Sequence, residues 1–240
     1  LENNTVDFVS FSYYSSRVSS SDLEKGKQSE SNIFASAKNP YLKESEWGWA
    51  IDPLGFRSTI NELYDRYQKP LFVVENGWGA ADRVDENGTI HDDYRIDYLR
   101  QHIQAMIDSV EKDGVELLGY TTWGCLDLIS NGTGEMKKRY GFIYIDRDNE
   151  GNGTYRRIKK DSFYWYKKVI ATNGTELSWC RGKESDQTEA WSQHKTSSEV
   201  SWLNRIQEET EIYTGHEKVE VWNIYGIHDG TSTIHMQRHR

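Results

Sequence analysis

An α/β fold with a parallel sheet is the architecture this sequence predicts, on three observations. Leu71-Phe72-Val73-Val74 is an uninterrupted β-branched and aromatic run between Pro70 and Gly77, as in a strand buried on both faces. Strand-like and helix-like stretches alternate along residues 6–171, which is the order of repeating βα units. Glu75 follows the central run directly. A carboxylate after four apolar residues needs partners or an open cleft, and the C-terminal mouth of a parallel strand offers a cleft.

Taken in order, residues 6–14 (VDFVSFSYY) read as the first strand. Residues 15–50 form a long connection rich in Ser, Gly and Lys, a length that is usually functional or mobile. It carries Trp47 and Trp49, which either line a cleft or pin the loop to the body. Residues 53–68 read as a helix with Leu54, Ile60, Leu63 and Tyr64 inward and Ser58 and Asn61 outward. The central strand is followed by a polar loop with an Asn87-Gly88 turn. A helix over 94–112 follows, capped by Asp92 or Asp93, with Ile96, Leu99, Ile103, Met106, Ile107 and Val110 on its buried face and Gly114 at its C-terminal end. Residues 115–123 read as the third strand, 141–157 as a hairpin-like segment and 161–171 as a short aromatic helix.

The 240-residue chain has room for one large domain or two small ones. Its net charge of -9 argues against a nucleic-acid partner. Cys125 and Cys180 make neither a disulfide framework nor a metal site, and His194, His216, His228, His235 and His239 are scattered without ligand spacing. No run approaches transmembrane length. The chain opens at Leu1 in mid-pattern, so the lack of a signal peptide carries no weight about compartment. The sequons at Asn3, Asn87, Asn131, Asn152 and Asn173 read as Asn-Gly turns or chance. Around Glu75, Asn76 offers a hydrogen-bond donor and Trp78 a flat apolar face, a combination that suits a sugar better than a salt bridge. The plain alternative is a carboxylate paired at a strand end.

LFVVENG at 71–77 resembles the nucleophile strand of family 1 glycoside hydrolases, (β/α)8 TIM-barrel enzymes that cleave β-glycosides with retention. DFVSFSYY at 7–14 resembles the sixth barrel strand and NPYLKESEWGWAIDPLGFR at 39–57 the loop and helix after it. TTWGCLDLISNGTGEMKKRYGFIYID at 121–146 resembles the eighth strand and its loop, and TNGTEL at 172–177 the usual end of such an enzyme. The resemblance implies the C-terminal part of the barrel, about three βα units, over residues 1–177. It leaves 178–240 as a tail of unassigned structure: disordered, out of frame or a small appended domain.

Roles follow from the resemblance position by position. Glu75 is implied as the nucleophile, Tyr14 as the tyrosine that orients it, and Trp123 as the platform beneath the sugar ring. Ser130 stands where members acting on plain glucosides carry a glutamate, and Lys138, Arg139 and Tyr140 form the K-R-Y of members acting on 6-phosphosugars. Ser130, Lys138 and Tyr140 are thereby implied around a phosphate, one compact cation with two hydroxyl donors. Taken alone, 137–140 would read as a solvated basic run. Ser12 also matches the phospho-specific members, where many others have asparagine.

The general acid/base of the family lies in an N-E-P motif, and no N-E-P occurs in this sequence. The expectation is therefore a 6-phospho-β-glucosidase represented by its C-terminal part, hydrolysing phosphorylated β-glucosides in a cytoplasm, without metal or organic cofactor, and inactive in isolation. Two alternatives stay open: a 6-phospho-β-galactosidase, and a non-catalytic truncated fragment. Neither the aglycone nor the oligomeric state is legible.

Overall fold

The computed structural model describes residues 5–19, 37–180 and 224–225. Every element below lies in one compact unit that includes residues 1–177. Strand β1 (Val9–Ser12) leads through the long connection to helix α1 (Pro53–Tyr67), and β2 (Leu71–Glu75) to α2 (Asp93–Glu111). Strand β3 (Leu117–Tyr120) is followed by β4 (Ile143–Ile145), β5 (Arg157–Lys159) and α3 (Asp161–Ala171). β1, β2 and β3 are parallel neighbours in that order, the βα arrangement the alternation predicts. β4 and β5 form a separate antiparallel pair, as the hairpin-like segment predicts.

The outer strands are shorter than the apolar runs that announced them: 9–12 rather than 6–14, and 117–120 rather than 115–123. Their flanking residues leave the ladder for loops. Ile224–Tyr225 is a sixth strand, β6, antiparallel to β3. The tail's sequence is compatible with a weak helix over 198–213 and a two-stranded piece over 219–225 and 231–236; apart from 224–225 these stretches, like the five scattered histidines, lie outside the described residues.

α1 begins where Pro53 occupies the first turn and Asp52 Oδ1 accepts from the Gly55 amide at 2.8 Å. Its inward face is corrected by the structure. Leu54 is 70% exposed, while Phe56 and Ile60 are fully buried, with Phe56 against Tyr13 and His102. The i,i+4 pair Phe56–Ile60 sets the stripe, and Leu54 lies outside it. In α2, Ile96, Leu99, Ile103 and Met106 are buried as predicted. Ile107 and Val110 are half-buried and border an apolar groove with Leu117 and Val169. Gly114 adopts φ +75°, the left-handed conformation expected of a glycine after a helix.

The three helices cover one face of the sheet. On β2, Leu71 and Val73 are buried toward them, whereas Val74, with Phe8 before β1 and Leu118 on β3, is exposed. β1 and β2 stay in register from Val9↔Leu71 to Phe11↔Val73, and then Ser12 pairs with Glu75. β2 thus carries an extra residue at Val74. This bulge reverses the alternation and sets Glu75 beside Ser12, on the face away from the helices.

Candidate functional site

Glu75 ends β2 half-buried. Tyr14, two residues beyond β1, donates its hydroxyl to Glu75 Oε2 at 2.9 Å. Burial, reinforced by that bond, pushes the Tyr14 hydroxyl far above its ordinary value, so it remains a donor at any working pH. Tyr14 meets Trp49 edge-on at 5.4 Å and Tyr140 at 6.4 Å between ring centroids. Lys138 Nζ lies 4.0 Å from the Trp49 ring centroid, 5.3 Å from Trp47 and 5.8 Å from Tyr140. Glu75, Tyr14, Tyr140 and Lys138 therefore form one continuous cluster, walled by the two tryptophans.

Trp123 joins it through the backbone: its amide donates to Asn76 O at 2.8 Å. Gly77 makes that approach possible, because a Cβ there would sit 2.1 Å from the Trp123 carbonyl oxygen. Ser130 is buried in the loop after β3, its amide bonded to Glu135 O at 2.9 Å and its carbonyl to Gly134 N at 2.8 Å. Ser130 reaches the cluster through Glu135, whose carboxylate accepts from Trp47 Nε1 at 3.1 Å.

Lys138 is only 3% exposed, yet among the described residues its ammonium forms no ion pair. Burial pushes it below its ordinary value, with Glu135 pulling the other way. Its neighbour Arg139 faces elsewhere: it binds Asp127 at 3.1 Å and the carbonyls of Ile145 and Arg147.

Asn76 requires a correction. The sequence offered its amide to a sugar, but it is fully buried and bonded on both sides. Nδ2 donates to Tyr13 O at 2.7 Å and Tyr98 Oη at 3.0 Å, and Oδ1 accepts from Tyr120 Oη at 2.7 Å. With Tyr98 also donating to Tyr14 O at 3.1 Å, this side chain ties the ends of β1, β2 and β3 together beneath Glu75. Alternation explains it: adjacent residues point to opposite faces, so a carboxylate in the cleft puts the next side chain in the core. Trp78 likewise packs on Tyr98, 5.2 Å between centroids.

A buried charge cluster supports the loops of the site; Asp127 and Arg139 lie in the 121–146 stretch, but no motif marked its other members. Asp82, Asp92 and Asp127 face Arg95, Arg139 and Lys160. Asp92 does not cap α2 with its side chain as the sequence suggested, because that carboxylate binds Arg95 and the amide and hydroxyl of Ser162. Three acids against three bases leave the cluster formally neutral, the condition under which buried charges are tolerated. The available signal was charged residues set within otherwise apolar stretches. Among the described residues no group of three His, Cys, Asp or Glu side chains could hold a metal ion, and no helix is long and apolar enough to cross a membrane.

The family profile of glycosyl hydrolase family 1 matches residues 1–175. The aryl-phospho-beta-D-glucosidase BglH of Bacillus subtilis (strain 168) is 63% identical over 177 residues, 74% of this chain and 38% of that protein. The 6-phospho-beta-glucosidase AscB of Escherichia coli (strain K12) is 62% identical over 174 residues, 72% of this chain and 36% of its own length. Among solved structures, a family 1 β-glucosidase from Thermotoga maritima superposes with a TM-score of 0.59 at 34% identity, over 72% of this chain and 36% of its own. The chain thus spans well under half the length of these relatives. Its parallel βα units are part of the (β/α)8 barrel of that family, and the chain belongs to glycosyl hydrolase family 1.

Proposed function

We propose that this chain supplies the nucleophile and the phosphate-recognition side of a retaining 6-phospho-β-glucosidase. The observation that carries the reading is Lys138: a buried ammonium, unpaired among the described residues, beside the Tyr14–Glu75 hydrogen bond. Burying a charge without a counter-ion is costly, so a site built this way favours an anionic ligand. The relatives' names include phospho-β-glucosidases, which agrees.

In this reading a Glu75 oxygen attacks the anomeric carbon while the bond to the leaving oxygen breaks, giving a glycosyl ester that water then hydrolyses. Tyr14 fixes the carboxylate rotamer. Trp123 backs the sugar ring, and Lys138, Ser130 and Tyr140 face the 6-phosphate. Protonation of the leaving group needs a second carboxyl roughly 5–5.5 Å from the nucleophile, which the family carries in its N-E-P motif and this sequence lacks. The 240-residue chain alone is therefore expected to bind but not to turn over. Phosphosugars arise during phosphorylating uptake, which puts the work in a cytoplasm.

Calorimetry of the purified chain with glucose 6-phosphate and with glucose tests the reading. Glucose 6-phosphate binds more tightly, and Lys138→Met removes that preference by about tenfold or more, the worth of a charge-assisted bond. Equal affinity for the two sugars, or an unchanged preference in Lys138→Met, refutes it. Galactose 6-phosphate in the same series separates the gluco from the galacto alternative.

A further inference from the structure

The loop after β1 and the loop after β3 meet where Trp47 Nε1 donates to Glu135 Oε2 at 3.1 Å. Glu135 is the carboxylate whose charge acts on Lys138, and it forms a 3.5 Å ion pair with Lys137 on the outer side. Three residues apart along one loop, Glu135 and Lys138 have the reach to form an ion pair of their own. They do not: Lys138 Nζ lies over the Trp49 and Trp47 rings, while the Glu135 carboxylate is held by the edge of the same Trp47 indole. The face of Trp47 thus takes the cation and its N–H takes the anion, which keeps the two apart.

We infer that Trp47 is a positioning residue: its indole N–H restrains Glu135 so that this internal carboxylate cannot neutralise Lys138 and compete with the ligand phosphate. The inference deepens the phosphate reading and rests on it. A phosphate arriving at Lys138 finds an ammonium already desolvated and unpaired, so no internal ion pair has to break on binding. Thr133 also bonds the Glu135 carboxylate, a second hold on the same group.

Trp47→Phe keeps an aromatic face for Lys138 and removes only the N–H. In the purified 240-residue chain this variant weakens glucose 6-phosphate binding by about fivefold, as expected for a partly exposed internal ion pair that has to be displaced. Glu135→Gln in the same background restores binding to within about twofold of wild type, because no competing charge remains. Glu135→Gln alone binds as well as wild type or better. A second readout, the Lys138 titration followed by carbon NMR at its ε-methylene, does not depend on the sugar. Trp47→Phe raises that midpoint by pairing Lys138 with Glu135, and adding Glu135→Gln reverses the rise. A double variant as weak as Trp47→Phe, with no midpoint change, overturns the inference and leaves Trp47 a packing residue. Failure of the phosphate reading shows differently: every variant binds glucose 6-phosphate no better than glucose while the Lys138 midpoint still moves, which supports the restraint and rejects the ligand.

Discussion

Lys160→Met tests whether the buried charge cluster holds the site loops. Lys160 is fully buried and bonds the carboxylates of Asp82 and Asp127, the latter at 2.8 Å. At an effective dielectric near 20, a charge pair at that distance is worth about 6 kcal/mol, so two such pairs give roughly 12 kcal/mol of gross attraction. Removing the ammonium also removes its own desolvation cost of several kcal/mol, and methionine keeps most of the volume. The remaining loss is about 3–5 kcal/mol, because five groups then share a net negative charge out of water. That is a large part of an ordinary domain's stability, which runs about 5–15 kcal/mol.

Urea unfolding of the 240-residue chain, followed by circular dichroism, measures it. The pH dependence adds a second check. Burial pushes the Asp82 carboxyl up, but the charges of Arg95 and Lys160 outweigh it and hold it below its ordinary 3.8. This contribution is complete above 3.8 and disappears as pH falls through the lower folded value. At the ammonium itself burial dominates, with Arg95 adding to it, and Lys160 is pushed down despite two carboxylates. In Lys160→Met an unpaired carboxylate can take up a proton, and the deficit therefore shrinks on acidification. A loss under about 1 kcal/mol, of the size seen for surface pairs, refutes the reasoning, as does a deficit independent of pH.

Three further outcomes are expected. Burial pushes the His102 imidazole down to about 4, so the unfolded chain binds the extra proton between 6.5 and 4 and stability falls across that window as pH is lowered. The shift corresponds to about 3 kcal/mol, and His102→Phe should flatten the slope in urea titrations at a series of pH values. Asn76→Leu leaves the Tyr120 hydroxyl without its partner and unties the strand ends, costing about 2–4 kcal/mol; a midpoint within error of wild type contradicts the role given to that amide. Gly77→Ala forces a Cβ into the Trp123 carbonyl and costs about 1–3 kcal/mol, with a changed near-ultraviolet signal from the displaced indole.

Much of this was legible in the sequence because it is local. The run 71–74 and the alternation around it gave the parallel order, and the helix at 161–171 was placed to the residue. Strand ends were overextended because apolar composition continues into loops after the hydrogen-bond ladder stops. The inward side of α1 was misjudged at Leu54 because burial is decided by what packs opposite, here Tyr13 and His102. At the site, Glu75 and Tyr14 were named from their motifs, and the structure brings them to 2.9 Å. The supporting layer was not legible. Asn76 with Tyr98 and Tyr120, and Asp82 with Arg95 and Lys160, join residues that are 13 to 78 positions apart, and no local pattern reports such pairs.

The bulge at Val74 gives the central strand a parity. Were the strand regular with Val74 kept in the ladder, the carboxylate of Glu75 would turn toward the helices and the amide of Asn76 toward the opening; setting that one valine outside the pairing prevents it. Backbone register at this point is thus as much a determinant of chemistry as residue identity: deletion of Val74 would close the bulge and still leave Glu75 beside Ser12, facing the opening.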